Sequence, residues 1–176
     1  MKNFALIGAA GYIAPRHMKA IKETGNHLVA ALDKNDSVGI IDSFFPEADF
    51  FTEYERFDRH VDLLKRKGTQ IDYVSIATPN YLHDSHIRFA LRNGAHAICE
   101  KPLVLREQEL EDLQAEAKRI GRALFTVHNW KFAPLCQKVK ELVAGRTIGE
   151  VRNCMWYVLR NGPAQTTTTD NWRLDP

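Results

Sequence analysis

Lys101 stands between Glu100 and Pro102, directly after the apolar run Ala95 to Cys99. A lysine that ends a buried strand, fixed by a proline and beside a carboxylate, is poorly explained as a solvating charge. Its ammonium is a compact donor that can hydrogen-bond a substrate hydroxyl or the oxygen of a developing carbonyl. A surface lysine paired with Glu100 is the plainer alternative. Other chemistry-bearing stretches follow apolar runs in the same way: Gly8 to Ala14, Asp33, Thr78-Pro79-Asn80 and His128-Asn129-Trp130. Ligands of an open parallel sheet bind beyond the carboxyl ends of its strands, so these positions are the informative ones.

Phe4 to Ile7 reads as a short buried strand that stops at Gly8, and from about Gly11 the pattern becomes helical. Strand, glycine turn and helix offer backbone N–H groups and a partly positive helix end to a dinucleotide pyrophosphate. Glycine lets the backbone approach the phosphates closely. The spacing is Gly8-x-x-Gly11-x-x-Ala14 rather than Gly-x-Gly-x-x-Gly, and a structural strand-to-helix turn would look the same. Asp33 sharpens the reading. It ends the second apolar run, His27 to Leu32, about 20 residues past the glycine turn, where a carboxylate accepts hydrogen bonds from an adenosine ribose. It would also repel a 2′-phosphate, so NAD is expected over NADP. An ordinary turn or cap is the alternative for Asp33.

Composition excludes several classes. Lys plus Arg number 24 and Asp plus Glu 22, a net charge of +2 that gives no nucleic-acid or polybasic membrane footprint. The three cysteines, Cys99, Cys136 and Cys154, are far apart and show no metal spacing, so neither a metal site nor a disulfide framework is expected. No apolar run approaches the ~20 residues of a membrane span, and the first strand begins almost at Met1, leaving no room for a signal peptide. The chain reads as soluble and cytoplasmic. At 176 residues it suits one domain and part of another.

The positioning elements alternate. Ile13, His17 and Ile21 predict the inward face of a first helix, with Pro15 in its first turn and Gly25-Asn26 closing it. After Asp33 come a short helix over 37–45 stopped by Pro46, and a short strand at Asp49-Phe50-Phe51. Tyr54, Phe57, Val61 and Leu64 then step through an amphipathic helix ended by Gly68. Ile71 to Ala77 is a strong strand. Thr78 is the expected N-cap, with Pro79 opening a helix that Asn93-Gly94 stops. Leu110, Leu113, Ala117 and Ile120 mark a helix closed by Gly121, Leu124 to Val127 a strand, and Leu135 to Val143 a helix ended by Gly145. Strands alternating with helices predict an α/β fold with a doubly wound parallel sheet. From about Thr147 the grammar changes. Gly149 to Leu159 reads as one long strand and Gln165 to Asp170 as a polar loop.

Taken together, Gly8…Gly11…Asp33, Ala77-Thr78-Pro79-Asn80-Tyr81-Leu82-His83 and Glu100-Lys101-Pro102-Leu103 resemble the Gfo/Idh/MocA family of nicotinamide-dependent sugar oxidoreductases. Ile148-Gly149-Glu150-Val151 and Trp172-Arg173-Leu174-Asp175-Pro176 also match its pattern. Residues 1–105 resemble most the sugar-nucleotide branch that oxidises C3 of UDP-2-acetamido-2-deoxy-glucuronic acid in polysaccharide synthesis. The resemblance implies an NAD-binding Rossmann domain over 1–122. It assigns 123–176 to the last Rossmann strand, a linking helix and the first part of an incomplete, truncated α+β substrate domain. It implies that Gly8, Ala10, Gly11, Tyr12 and Ile13 cradle the pyrophosphate of NAD and that Asp33 and Asn35 take the adenosine ribose. Thr78, Pro79, Asn80, His83 and Glu100 would line the cofactor near the nicotinamide. Lys101 would be the catalytic lysine, in contact with the oxidised hydroxyl of a sugar or UDP-sugar, and Asn129 would face that substrate. No metal is implied, and association would be with further copies of the chain. The family's Asp-x-Gly-x-His motif has no counterpart within the 176 residues.

Two other readings were weighed. Short-chain epimerases and dehydratases also follow a glycine turn with Tyr-Ile, but they need Tyr-x-x-x-Lys. Four residues after Tyr12, Tyr54, Tyr73, Tyr81 and Tyr157 come Arg16, Asp58, Ala77, Ser85 and Asn161, which removes that class. An NAD(H)-binding sensor or scaffold without catalysis, or an inactive truncated product, is the remaining alternative.

Overall fold

The computed structural model describes residues 1–36 and 38–157. The chain divides into two units, Met1–Val127 and His128–Pro176. In the first unit, six strands form one sheet: β1 (Asn3–Ile7), β2 (His27–Leu32), β3 (Asp49–Phe51), β4 (Tyr73–Ile76), β5 (His96–Cys99) and β6 (Leu124–Thr126). Their order is β3-β2-β1-β4-β5-β6, with every neighbouring pair parallel. This is the doubly wound dinucleotide-binding order, in which the connection reverses direction between β1 and β4.

Helices cover the two faces of the sheet because the strand side chains alternate. Phe4 and Leu6 of β1 join Leu28 and Ala31 of β2 under α1 (Ala14–Glu23) and α2 (Val38–Phe44), with Met18, Ile21 and Ile41 buried there. Ala5 and Ile7 turn the other way, into a core with Phe57 and Val61 of α3 (Tyr54–Arg66), Ile87 and Phe89 of α4 (His83–Arg92), and Leu113 and Ala117 of α5 (Glu107–Ile120). Each strand is thereby buried on both faces along the centre of the sheet, which is why the strands read as nearly continuous apolar runs. On the α1 side an aromatic row crosses the sheet: Phe4 stacks on Tyr73 with centroids 4.9 Å apart, and Tyr73 on His96 at 5.0 Å. Gly121 ends α5 in the left-handed conformation, φ 66°, as a glycine C-cap should.

Three local expectations change. The inward face of α1 is Ala14, Met18 and Ile21, with His17 also turned to the sheet, where it meets Ser75 of β4; Ile13 is only half-buried. The helix starts at Ala14 because Gly11 to Ile13 form a turn, closed by the Ala14 N–H donating to Gly11 O at 3.1 Å. Thr78 does not cap α4. A 3-10 turn at Asn80–Leu82 intervenes, the helix begins at His83, and the Thr78 hydroxyl meets His86 instead.

The second unit carries a 3-10 turn at Asn129–Phe132, then α6 (Pro134–Ala144), with Pro134 at its first position. Residues 151–157 form no strand, contrary to the expectation for Gly149 to Leu159. Isolated β structure leaves half its backbone groups unpaired, and among the described residues no strand pairs with this segment. The expected loop Gln165 to Asp170 and the Trp172 to Pro176 segment lie outside the described residues.

Candidate functional site

The switch point between β1 and β4 gathers most of the residues singled out above. At Gly8, φ is +88°, and a Cβ there would stand 2.7 Å from both the carbonyl carbon and the oxygen of Ala77 and 2.9 Å from Thr78 N. Only glycine lets the β1 turn lie this close to the end of β4. The Gly8 and Ala9 N–H groups both donate to Leu32 O, at 2.8 and 3.1 Å, so the same turn is pinned to β2. Gly11 N–H donates back to Gly8 O at 3.1 Å.

Asp33, half-buried, holds the turn from the other side. Its Oδ2 accepts from Ala10 N–H at 2.9 Å and its Oδ1 from Asn35 N–H at 2.9 Å. A carboxylate accepts about four hydrogen bonds, so capacity remains for two hydroxyls. Of the five residues expected to cradle a pyrophosphate, Gly8, Ala10 and Gly11 thus have their N–H groups engaged within the fold. Those of Tyr12 and Ile13 have no intramolecular acceptor among the described residues. They stand immediately before α1, where the helix end favours an anion. Two free donors, a turn without Cβ atoms at Gly8 and Gly11, and a carboxylate at the end of β2 fit a dinucleotide. The Tyr12 side chain is 89% exposed, so only its backbone belongs to the turn.

Beyond β4 and β5 the structure places Thr78, Pro79, Asn80, Glu100 and Lys101 along adjacent strand ends. Glu100 N–H still donates to Ile76 O at 3.0 Å, extending the ladder to the base of the lysine. The carboxylate of Glu100 pairs with His17 rather than with Lys101: Oε1 lies 3.1 Å from His17 Nε2. His17 Nδ1 lies 2.7 Å from the Ser75 hydroxyl. A polar chain from β4 through α1 to the end of β5 thus orients Glu100. The sequence places His17 on the inward face of α1 but does not reveal its partners; the one signal available was Ser75, a lone hydroxyl inside an apolar strand. The Lys101 side chain is exposed, and the Lys101–Pro102 peptide is cis.

His83 is a correction. Expected to line the cofactor, it is fully buried, with Nδ1 2.6 Å from Pro102 O and Nε2 2.9 Å from Thr78 O. It lies beneath the site, not on its surface. Its neighbour His86 is buried too, with Nδ1 3.0 Å from Thr78 Oγ1. Burial first, and then the charge on His83, pushes the His86 imidazole down to about 4. Burial, with Glu100 adding to it, pushes the Cys99 thiol up to about 12, which leaves it inert. Asn129 opens the 3-10 turn of the second unit and is exposed, as is His128. No cluster of three or more metal-ligating side chains occurs among the described residues.

A doubly wound sheet with a glycine turn at β1, an acid at the end of β2 and a Glu-Lys-Pro loop after β5 defines a nicotinamide-dinucleotide-binding oxidoreductase domain. Residues 2–128 match the Gfo/Idh/MocA family, described as an oxidoreductase family with an NAD-binding Rossmann fold, and the chain belongs to it. Among solved structures, the WlbA (WbpB) dehydrogenase of Thermus thermophilus, in complex with NAD and UDP-GlcNAcA, is 51% identical with a TM-score of 0.80, over 82% of this chain and 47% of that one. The WlbA dehydrogenase of Bordetella pertussis, in complex with NADH and UDP-GlcNAcA, is 25% identical with a TM-score of 0.70, over 85% and 44%. The 2,7-anhydro-N-acetylneuraminate hydratase of Mediterraneibacter gnavus is 28% identical over 97% of this chain and 42% of that protein. The chain therefore spans less than half the length of these relatives.

Proposed function

We propose that the chain supplies the cofactor half of an NAD-dependent dehydrogenase acting on a sugar nucleotide, with C3 of UDP-2-acetamido-2-deoxy-glucuronate as the oxidised carbon. The observation that carries the cofactor reading is the pairing of free N–H groups at Tyr12 and Ile13 with the anchored carboxylate of Asp33. The 51% identity to a dehydrogenase solved with NAD and UDP-GlcNAcA supports the substrate class. NAD, when bound, accepts the hydride. Tyr12 and Ile13 N–H groups would hold the pyrophosphate against the start of α1. Asp33, its two oxygens already fixed by backbone donors, would take the ribose hydroxyls and repel a 2′-phosphate. Thr78, Pro79, Asn80 and Glu100 would border the nicotinamide. Lys101 would orient the substrate hydroxyl and stabilise negative charge on its oxygen as the proton leaves. Asn129 would serve the substrate.

Because catalysis needs the substrate carbon held over the nicotinamide by residues from both halves of such an enzyme, the 176-residue chain alone binds dinucleotide with little turnover. Calorimetry with NAD, NADP and their reduced forms tests this. NAD should bind more tightly than NADP, and Asp33→Ala should weaken NAD about tenfold or more, the loss expected for hydrogen bonds to a charged group. Tighter NADP binding would overturn the cofactor assignment, and robust NADH production from a UDP-sugar by the chain alone would refute the division of labour. Lys101→Ala, placed in a protein that also carries the second half found in the relatives, should lower turnover by far more than threefold. A change within about threefold, less than ~1 kcal/mol of barrier, removes Lys101 from the chemistry.

A further inference from the structure

Polar side chains from α1, β4 and the end of β5 meet on one face of the sheet, and strand alternation dictates that they do. Side chains along a strand point to opposite faces in turn. Tyr73 and Ile98 lie on the α1 side, so Ser75 and Glu100, each two residues further on, return to it. Ser75 stands opposite Ile98 in the ladder, and Glu100 N–H donates to Ile76 O at 3.0 Å, which makes the two diagonal neighbours. His17 of α1 comes down between them, with Nδ1 2.7 Å from Ser75 Oγ and Nε2 3.1 Å from Glu100 Oε1. A hydroxyl both donates and accepts, so the ring can donate from Nε2 to the carboxylate whether or not Nδ1 carries a proton. From this geometry we propose that His17 is a positioning residue, a brace that holds the Glu100 carboxylate on the α1 side of the nicotinamide end and away from Lys101.

Glu100 and Lys101 are chain neighbours of opposite charge, and a carboxylate left unheld is free to turn toward the ammonium or out to water. Here it is paired with His17, and Lys101 stays exposed. The pair is largely shielded, with 9% of the His17 side chain and 14% of the Glu100 side chain exposed, so water competes little for the bond between them. The ring is fixed from both ends: Ala14, Met18 and Ile21 seat α1 on the sheet, and Ser75 holds Nδ1. A carboxylate ordered in advance costs less to engage than one that must first be immobilised. The effect of the brace on NAD rests on the cofactor reading given above; the brace itself rests on the three side chains.

Three-bond coupling constants of the Glu100 side chain, measured on the 176-residue chain, test the brace without any ligand. They should report a single rotamer in wild type and an average in His17→Leu, which fills the α1 face and removes both nitrogens. Averaging in wild type, or a single rotamer kept in His17→Leu, overturns the proposal. If that variant does not fold, Ser75→Ala, which unseats the ring from β4, decides in its place: averaging supports the brace and a single rotamer overturns it. Calorimetry with NAD and with ADP, which lacks the nicotinamide half, separates positioning from a general effect on α1. His17→Leu should weaken NAD about fivefold or more and leave ADP within about twofold. In a Glu100→Ala background it should cost NAD nothing further, because residues that act through one another are not additive. Equal losses for NAD and ADP, or an undiminished loss without Glu100, overturn the positioning role. Glu100 released in His17→Leu with no NAD binding in wild type leaves the brace standing and removes the cofactor reading, whereas unchanged couplings with NAD bound do the reverse.

Discussion

His86 shows how a single buried residue ties the site to solution conditions. Its ordinary value is 6.5 and burial in the fold lowers it to about 4, so between those values the unfolded chain holds a proton that the folded chain refuses. Stability rises with pH wherever the unfolded state binds more protons, so this contribution is lost as pH falls from about 6.5 to about 4. The full loss is on the order of 3 kcal/mol. Denaturant melts across that window should show the slope in wild type and a flatter one in His86→Gln, whose amide does not take up a proton. Parallel slopes would mean that His86 is solvated in solution. The residues around it explain why the imidazole stays neutral: Thr78 Oγ1 gives it one hydrogen-bond partner and Tyr54 stacks on it with centroids 6.0 Å apart.

At the scale of elements, the site depends on how the helices are seated on the sheet. The Lys101 loop leaves β5 and leads to α5, so the packing of α5 limits how far that loop can shift. Leu113 is the fully buried anchor of α5, and at the start of the helix the Glu109 carboxylate accepts from Arg106 N–H at 3.2 Å. Leu113→Ala should cost about 2–5 kcal/mol in a denaturant melt, the range for a large-to-small change in a rigid core. A loss below about 1 kcal/mol would show that α5 collapses onto the void. The other face is bound just as tightly to function: Met18 and Ile21 seat α1 on the sheet, and the seating of α1 places both the free N–H groups before it and the His17 that orients Glu100.

For the whole molecule, the first unit has two cores, six paired strands and every residue of the candidate site except Asn129. Residues 1–127 expressed alone should therefore melt cooperatively and retain NAD affinity within about threefold of the 176-residue chain, a difference below ~1 kcal/mol. Circular dichroism and calorimetry check both points. A non-cooperative melt would show that the first unit needs residues beyond Val127 to fold. Among the described residues, no helix is long and apolar enough to cross a membrane.

The amino-acid sequence by itself determined the alternation of strands and helices, the glycine turn, Asp33 and the Glu100-Lys101-Pro102 loop. Each of these is written in local pattern: period, breaker residues and the acid or base that follows a buried run. What it left open were relations between distant segments. That His17 serves Glu100 and that His83 lies under the site are consequences of β1, β4 and β5 lying side by side; that the Ala10 N–H is taken while those of Tyr12 and Ile13 stay free follows from Asp33 at the end of the neighbouring β2. The strand expected at 149–159 is absent from its described part, residues 149–157, for the complementary reason. Its apolar alternation is a local signal, but a strand exists only with a partner, and partnership is decided by the tertiary structure.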